Sequence, residues 1–275
     1  MSILSASEKY DVHDVLIDRE GNWHLDGVPI TPENLVNKID LVVNAMHGEY
    51  GEDGTVQKIF ENNRIPFTGS GSLASALGMN KSLAKYVFKQ HGIKTPVHIT
   101  LNREEATEEK LHEVFRSFPF PNIVKPLSSG SSLGVTLVRT FQELKNAIEK
   151  AFQFSPVVLL EEYISGKDIS CGVINNFRGQ EVYALVPTED GLCPSTLNES
   201  EKEVVIDAAK KIHQALGLRH YSHSDFVVHP RRGVYAIEVN TLPGLHGESI
   251  LPKSLAAVGC TLPEFLDHII NEAKQ

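Results

Sequence analysis

The sequence predicts an α/β protein built from two or three lobes. Short β-rich runs alternate with helical runs along the whole chain, the pattern of sheets covered by helices. The 275 residues exceed one average domain. With 41% hydrophobic and 22% charged residues, the composition suits a chain that folds around apolar cores rather than a disordered one.

The elements follow in order. Asp11–Ile17 reads as a strand, and Gly21-Asn22-Trp23 as a turn into a hairpin. Asp40–Asn44 is a compact apolar strand ending in a polar loop, Ala45–Gly54, with a helix over Thr55–Asn62 after it. Ile65–Thr68 reads as another strand; Ser70–Leu77 and Ser82–Gln90 read as helices, the second closed by Gly92. A second unit starts near Ile93, with strands at Val97–Leu101, Asn122–Pro126, Val135–Val138 and Val157–Ile164. Its helices are Glu104–Phe118 and Phe141–Phe152, the latter with Leu144, Ala147, Ile148, Ala151 and Phe152 in one stripe. A third unit starts near Gly166. It has strands at Ile169–Asn175, Glu181–Val186, His220–Val228 and Val234–Val239, and helices at Glu199–Leu216, Ile250–Val258 and Leu262–Lys274. A ligand cleft is expected between two such units.

Charge and cysteine content narrow the function classes. The net charge of −9 gives no electrostatic footprint for nucleic acid. Three cysteines, Cys171, Cys193 and Cys260, show no metal-type spacing and suit a reducing compartment. No apolar run approaches the ~18 residues of a membrane span, and the polar start of the chain does not resemble a signal peptide. The expectation is a cytoplasmic protein without membrane or nucleic-acid partners.

Four stretches carry residue types suited to chemistry. Glu238 and Asn240 alternate onto one strand face, and Asp225 lies on the strand before. In a hairpin these oxygens suit Mg²⁺ on a nucleotide phosphate, or else form a solvated edge. The alternating apolar residues Phe226, Val228, Ile237 and Val239 suggest a buried opposite face. Between Lys125 and Val135, a Ser/Gly loop offers backbone N–H groups to phosphate, or forms a simple turn; it is not a Walker A motif. Leu160–Asp168 suits an inter-lobe hinge whose backbone reads an adenine edge, or an ordinary connection. Asn44–Gly54 gathers polar groups at a strand's C-terminal end, where α/β proteins place ligands, although a lone histidine such as His47 also suits a structural role.

In this order, HGEYGEDGTVQ (47–57), IPFTGSGSLASALGMNK (65–81), IVKPLSSGSSLGV (123–135), LLEEYISGKD (159–168), SDF (224–226) and EVNTLPGL (238–245) resemble the D-alanine–D-alanine ligase branch of the ATP-grasp superfamily. The resemblance implies an ATP-grasp fold with a shortened first lobe over residues 1–80, a central subdomain over 81–166 and a C-terminal subdomain over 167–275. It implies ATP and Mg²⁺ (or Mn²⁺) as cofactors and D-alanine as substrate, joined through an acyl phosphate for peptidoglycan synthesis. Lys81 and Lys125 are then the phosphate lysines. Ser131 lies in the lid near the substrate. Glu161, Tyr163 and Ile164 form the adenine hinge, with Asp168 at the ribose, and Asp225, Glu238 and Asn240 are the metal ligands. Gly244 stabilises the oxyanion, Ser249 holds the second substrate's carboxylate, and His47 stands at the substrate end of the first lobe. A homodimer through the first lobe is also implied.

Three departures accompany the resemblance. The family opens with a Gly-Gly-x-Ser-x-Glu loop whose glutamate holds an amine; this sequence begins after that point, which reads as a displaced start or a subfamily without it. A long loop with a Lys-Tyr pair is replaced by the direct join Leu185–Pro194, so a more open site is expected. The family's catalytic arginine, two residues before the first metal ligand, is His223 here. Histidine is shorter, and its charge varies with pH in the physiological range. Two other readings stand beside the ligase: a carboxylate–amine ligase with another second substrate, and a degenerate ATP-binding protein.

Overall fold

A left-handed Asp26-Gly27 pair (φ 49° and 79°) reverses the chain in the first of three sheets, as a two-residue hairpin requires. The computed structural model describes residues 2–128 and 133–274, so Ser131 lies outside the described residues. The first lobe runs α1 (Ser2–Ser5), β1 (Val15–Ile17), β2 (Trp23–Leu25), β3 (Val28–Ile30), α2 (Pro32–Leu35) and α3 (Thr55–Asn62). Strands β1, β2 and β3 form an antiparallel meander. Its small core gathers Trp23, Leu35, Val56, Phe60, Ile65 and Phe67. The strands expected at Asp40–Asn44 and Ile65–Thr68 reduce to one parallel bridge, Val42 to Phe67. Beyond it the backbone N–H of Asn44 turns to the Thr68 hydroxyl (3.1 Å) rather than to a backbone carbonyl, and the ladder stops.

Helices α4 (Ser72–Met79) and α5 (Lys81–Gln90) follow. The Asn80 side chain accepts the Leu83 N–H (3.1 Å) and caps α5. The resemblance places α5 with the central subdomain. In the fold, Ala74, Ala84 and Phe88 of these two helices lie in the core of the last sheet.

The central sheet has the order β4-β7-β5-β6, all antiparallel, from β4 (His98–Asn102), β5 (Asn122–Pro126), β6 (Thr136–Val138) and β7 (Val157–Glu162). Helices α6 (Glu108–Ser117) and α7 (Phe141–Ala151) cover one face, where Leu111, Val114, Leu144 and Ile148 meet Val124, Val158 and Leu160. Side chains alternate along a strand. Lys125 and Glu161 therefore project from the opposite face.

The last sheet contains β8 (Lys167–Phe177), β9 (Gln180–Ala184), β10 (Thr188–Glu189), β11 (Tyr221–His229) and β12 (Gly233–Asn240), with α8 (Glu199–Ala215), α9 (Ile250–Ala257) and α10 (Leu262–Ala273). Its order is β10-β8-β11-β12, with β9 also on β8. The short join from β9 to β10 matches the sequence's direct connection across Leu185–Pro194. Residues Ile169, Cys171, Val173, Phe226 and Val228 pack on Val205, Ala209 and Ile212 of α8.

A bulge on β12 decides where the site residues point. Phe226 pairs with Ala236 and Asp225 with Glu238, leaving Ile237 without an opposite residue. An inserted residue reverses the alternation beyond it. Ala236 and Val239 thus share the apolar face, although they lie three residues apart. Ile237 packs instead with Ile164, Val227 and Tyr235, correcting its expected place beside Phe226 and Val239.

One buried histidine makes this fold acid-sensitive. His213 of α8 is 1% exposed, with Nδ1 at 2.8 Å from the Ser222 hydroxyl and Nε2 at 2.9 Å from Asn175 Oδ1. The amide oxygen only accepts, so Nε2 carries the proton and Nδ1 accepts from Ser222. Burial, with His220 nearby, pushes the imidazole down to about 4. A neutral buried histidine stabilises the fold above its unfolded value near 6.5, and this contribution is lost as pH falls through 4. The expected outcome is a drop of about 3 kcal/mol in unfolding free energy from this residue between pH 7 and pH 4, read from denaturant midpoints against pH. A flat profile over that range would contradict it.

Candidate active site

The bulged hairpin brings the acidic residues together. Asp225 on β11 lies directly opposite Glu238 on β12, and His223 opposite Asn240. Ser170 of β8 donates its hydroxyl to Asp225 Oδ1 (2.5 Å), and His223 Nε2 is 3.3 Å from the same oxygen. Burial pushes the Asp225 carboxyl up, opposed by His223 and reinforced by Glu238. Like charges directly opposite on a ladder are destabilising. A cation between these side chains would relieve both effects.

The donor set fits a hard divalent ion. Among the described residues no three His, Cys, Asp or Glu side chains are arranged to hold a metal ion by themselves. The set is two carboxylates with the Asn240 amide oxygen, which also accepts the Leu242 N–H (2.8 Å). One or two carboxylates with phosphate oxygens completing the shell is the usual arrangement for Mg²⁺.

A cavity of about 400 Å³ opens beside this hairpin. His47, Lys81, Glu238, Asn240, Gly244 and Ser249 all line it, six positions drawn from four separated stretches of sequence. Lys81 Nζ stands 3.8 Å from Glu238 Oε2. Burial pulls the Lys81 ammonium down, Glu238 opposes that, and Lys125 adds to it. A Cβ on Gly244 would come within 2.6 Å of Ser249 Oγ, so the missing side chain lets the backbone run close to that hydroxyl. Ser249 precedes α9 but makes no side-chain cap.

His47 is held by its own loop. Its Nδ1 lies 3.3 Å from Glu52 Oε1, while Glu52 Oε2 accepts the Gly48 N–H at 2.7 Å. Glu52 holds the imidazole above its ordinary value against the opposing effect of burial. Glu52 and His246 also line the cavity. Neither is singled out by the sequence reading, although Glu52 lies within the HGEYGEDGTVQ motif and His246 directly follows EVNTLPGL.

On the nucleotide side of the expected cleft lies a buried triad. Glu161 Oε1 is 2.6 Å from Lys125 Nζ, and its Oε2 is 2.8 Å from Lys85 Nζ. The three side chains are 4%, 5% and 0% exposed. Burial alone would raise the Glu161 carboxyl; Lys85 and Lys125 together hold it at about 2. Burial pulls Lys85 down to about 8 despite Glu161, because two ammoniums share one carboxylate. Glu161 gains from both lysines while burial works against the Lys85 ammonium, so the triad fixes the placement of charge in the interior.

The remaining expected residues divide. Tyr163 is 40% exposed and Ile164 is buried at 5%. The Tyr163 N–H is given to the Pro121 carbonyl (3.1 Å), so this amide is not the group that reads adenine in this conformation. Glu161 turns toward the lysines rather than the hinge. Asp168 stands exposed at the start of β8, and burial with Asp190 and Asp225 nearby raises its carboxyl. Lys85 is absent from the sequence reading. Its signal is a lysine four residues after Lys81, on the helical stripe of Ala84 and Phe88.

Comparison with known proteins finds matches over most of the chain. The family model of the D-ala D-ala ligase C-terminus matches residues 87–191 and 183–271, and that of the D-ala D-ala ligase N-terminus matches residues 25–70. A D-alanine–D-alanine ligase of Geobacter sulfurreducens is 35% identical, over 90% of this chain and 84% of its own length. The vancomycin/teicoplanin A-type resistance protein VanA of Enterococcus faecium is 36% identical, over 98% of this chain and 79% of its own. Among solved structures, the VanG D-Ala:D-Ser ligase from Enterococcus faecalis superposes with a TM-score of 0.81 at 29% identity, covering 97% of this chain and 81% of its own. The D-alanine–D-alanine ligase from Bacillus anthracis complexed with ATP gives 0.76 at 33% identity, covering 88% and 82%. With family models spanning most of its length and relatives above 30% identity over nearly all of it, the chain belongs to the D-alanine–D-alanine ligase family and has its ATP-grasp fold.

Proposed function

We propose that this protein is an ATP-dependent ligase that joins two D-alanine molecules into D-alanyl-D-alanine for peptidoglycan synthesis. The observation that carries the reading is the Asp225–Glu238 pairing beside Asn240, at the edge of a cavity that runs on to Gly244, Ser249 and His47. Phosphate-binding and amino-acid-binding groups thus share one chamber.

A carboxylate is a poor acyl donor because its oxygen leaves poorly. Transfer of the γ-phosphoryl group of ATP to it gives an acyl phosphate, which the amine of the second amino acid then attacks. Asp225, Glu238 and Asn240 would hold Mg²⁺, which supplies charge neutralisation between the phosphates. Lys81 and Lys125 place positive charge toward the transferring phosphoryl group. The backbone at Gly244 approaches the reacting carbonyl, where an N–H donor to the oxyanion is typically worth ~3–4 kcal/mol. Ser249 holds the second substrate's carboxylate, and His47, whose protonated form Glu52 favours, faces the same chamber. Dimerisation through the first lobe belongs to the same reading.

His223 stands where a cation would assist the tetrahedral step. It is 7% exposed and lies beside Asp225. A longer, permanently charged guanidinium there would extend further toward the reacting centre.

Three measurements test the reading. Incubation with ATP, Mg²⁺ and a panel of D-amino acids, followed by phosphate release and product mass, is expected to give D-alanyl-D-alanine with stoichiometric phosphate. Release of phosphate with only a mixed dipeptide would move the assignment to another carboxylate–amine ligase, and ATP binding without release would indicate a degenerate binder. Glu238→Gln is expected to lower turnover at least 100-fold, about 3 kcal/mol in the barrier, with an unchanged circular dichroism spectrum. Turnover within twofold of the parent would remove Glu238 from the metal set. His223→Arg is expected to raise kcat severalfold; a fall instead would show that the pocket is shaped around the imidazole.

A further inference from the structure

Lys85 is a fully buried lysine that the proposed chemistry does not use. Its Nζ contacts Glu161 Oε2 at 2.8 Å and Thr95 Oγ1 at 3.0 Å. With no exposed side-chain surface, it has no route to a ligand of its own. Any influence on the cleft passes through Glu161, whose other oxygen holds Lys125 at 2.6 Å.

Charge counting gives that influence a direction. Two ammoniums and one carboxylate leave the buried triad with one net positive charge. Without Lys85, Glu161 and Lys125 would form a neutral closed pair. The cleft would then present one less positive charge to a polyphosphate, in an environment where each charge is weakly screened. Geometry adds to this. Lys85 lies one helical turn after Lys81 on α5, so its contact with Glu161 ties the helix that carries Lys81 to strand β7.

We propose that Lys85 is a positioning residue for nucleotide binding, which neutralises Glu161 from the buried side so that Lys125 keeps its charge available to the phosphates of ATP. This rests on the reading of Lys125 as a phosphate lysine. Lys85 itself touches neither ATP nor substrate.

The test measures Mg·ATP affinity by calorimetry, and KM and kcat for ATP, on the full chain and four variants. Lys85→Met is expected to weaken ATP binding at least tenfold and raise KM in step, with kcat at saturating ATP within threefold of the parent. Lys85→Met combined with Glu161→Gln restores the net charge and is expected to recover most of the lost affinity. Lys85→Met binding ATP within twofold of the parent would overturn the proposal, as would a double variant no better than the single one. Should Lys85→Met not fold, Glu161→Gln alone is compared with the double variant. Tighter ATP binding by Glu161→Gln is expected, and equal binding overturns the proposal. Lys125→Met separates the two readings. Unchanged affinity in that variant would refute the phosphate-lysine assignment itself, whereas a loss there with Lys85→Met unaffected would refute only the role of Lys85.

Discussion

A single unpaired residue, Ile237, sets the orientation of the acidic hairpin. Side chains alternate strictly along a regular strand, so Ala236 and Glu238 would share a face. The bulge separates them. Ala236 joins the core beneath α8, and Glu238 turns to meet Asp225. Two carboxylates directly opposite one another oppose folding rather than favour it. The surrounding protein limits that cost with the Ser170 hydroxyl, the His223 imidazole and the Lys81 ammonium. On the proposed reading a divalent cation would add to that compensation.

The opposite wall of the cleft solves a complementary problem. Lys125 and Glu161 project from the face of the central sheet that α6 and α7 leave uncovered, and Lys85 reaches them from α5. Buried charges of this kind survive only as compensated groups. Here compensation is deliberately incomplete by one charge, because two lysines share one carboxylate. The proposed nucleotide cleft thus has a surplus of positive charge on one side and of negative charge on the other. On that reading a polyphosphate with its cation would satisfy both, each component matching the side the other would find repulsive.

Much of this was legible in the chain because it is local. Alternation in Asn122–Pro126 and Val157–Glu162 separates Val124 and Leu160 from Lys125 and Glu161, and the stripe in Phe141–Ala151 faces the sheet as its period requires. The hairpin pairing of Asp225 with Glu238 follows from two strands joined by a short turn. What was not legible is tertiary. No local signal marks Ile237 as an extra residue, so its face was misassigned. The strands near Val42 and Phe67 have the right residues but only one bridge between them, since pairing depends on neighbours rather than propensity. Lys85 looks like a surface lysine until Glu161, 76 positions later in sequence, arrives beside it. The Asp26-Gly27 turn was a readable signal that the sequence reading passed over.

The two ends of the cavity differ in what changing them would disturb. At the proposed nucleotide end, Lys125 and Glu161 sit on strands and are tied with Lys85 of α5 into a buried ion-pair triad, so altering one leaves an uncompensated charge in the interior. At the amino-acid end, His47 and His246 sit on loops, His47 with its side chain 51% exposed. Loops carried on a rigid scaffold accept substitution at small cost to the fold. On the proposed reading, the architecture separates activation of a carboxylate, which demands fixed charges, from selection of the attacking group, which depends on loop side chains. That separation would give a physical reason why one fold is shared by a D-Ala:D-Ser ligase and a D-alanine–D-alanine ligase.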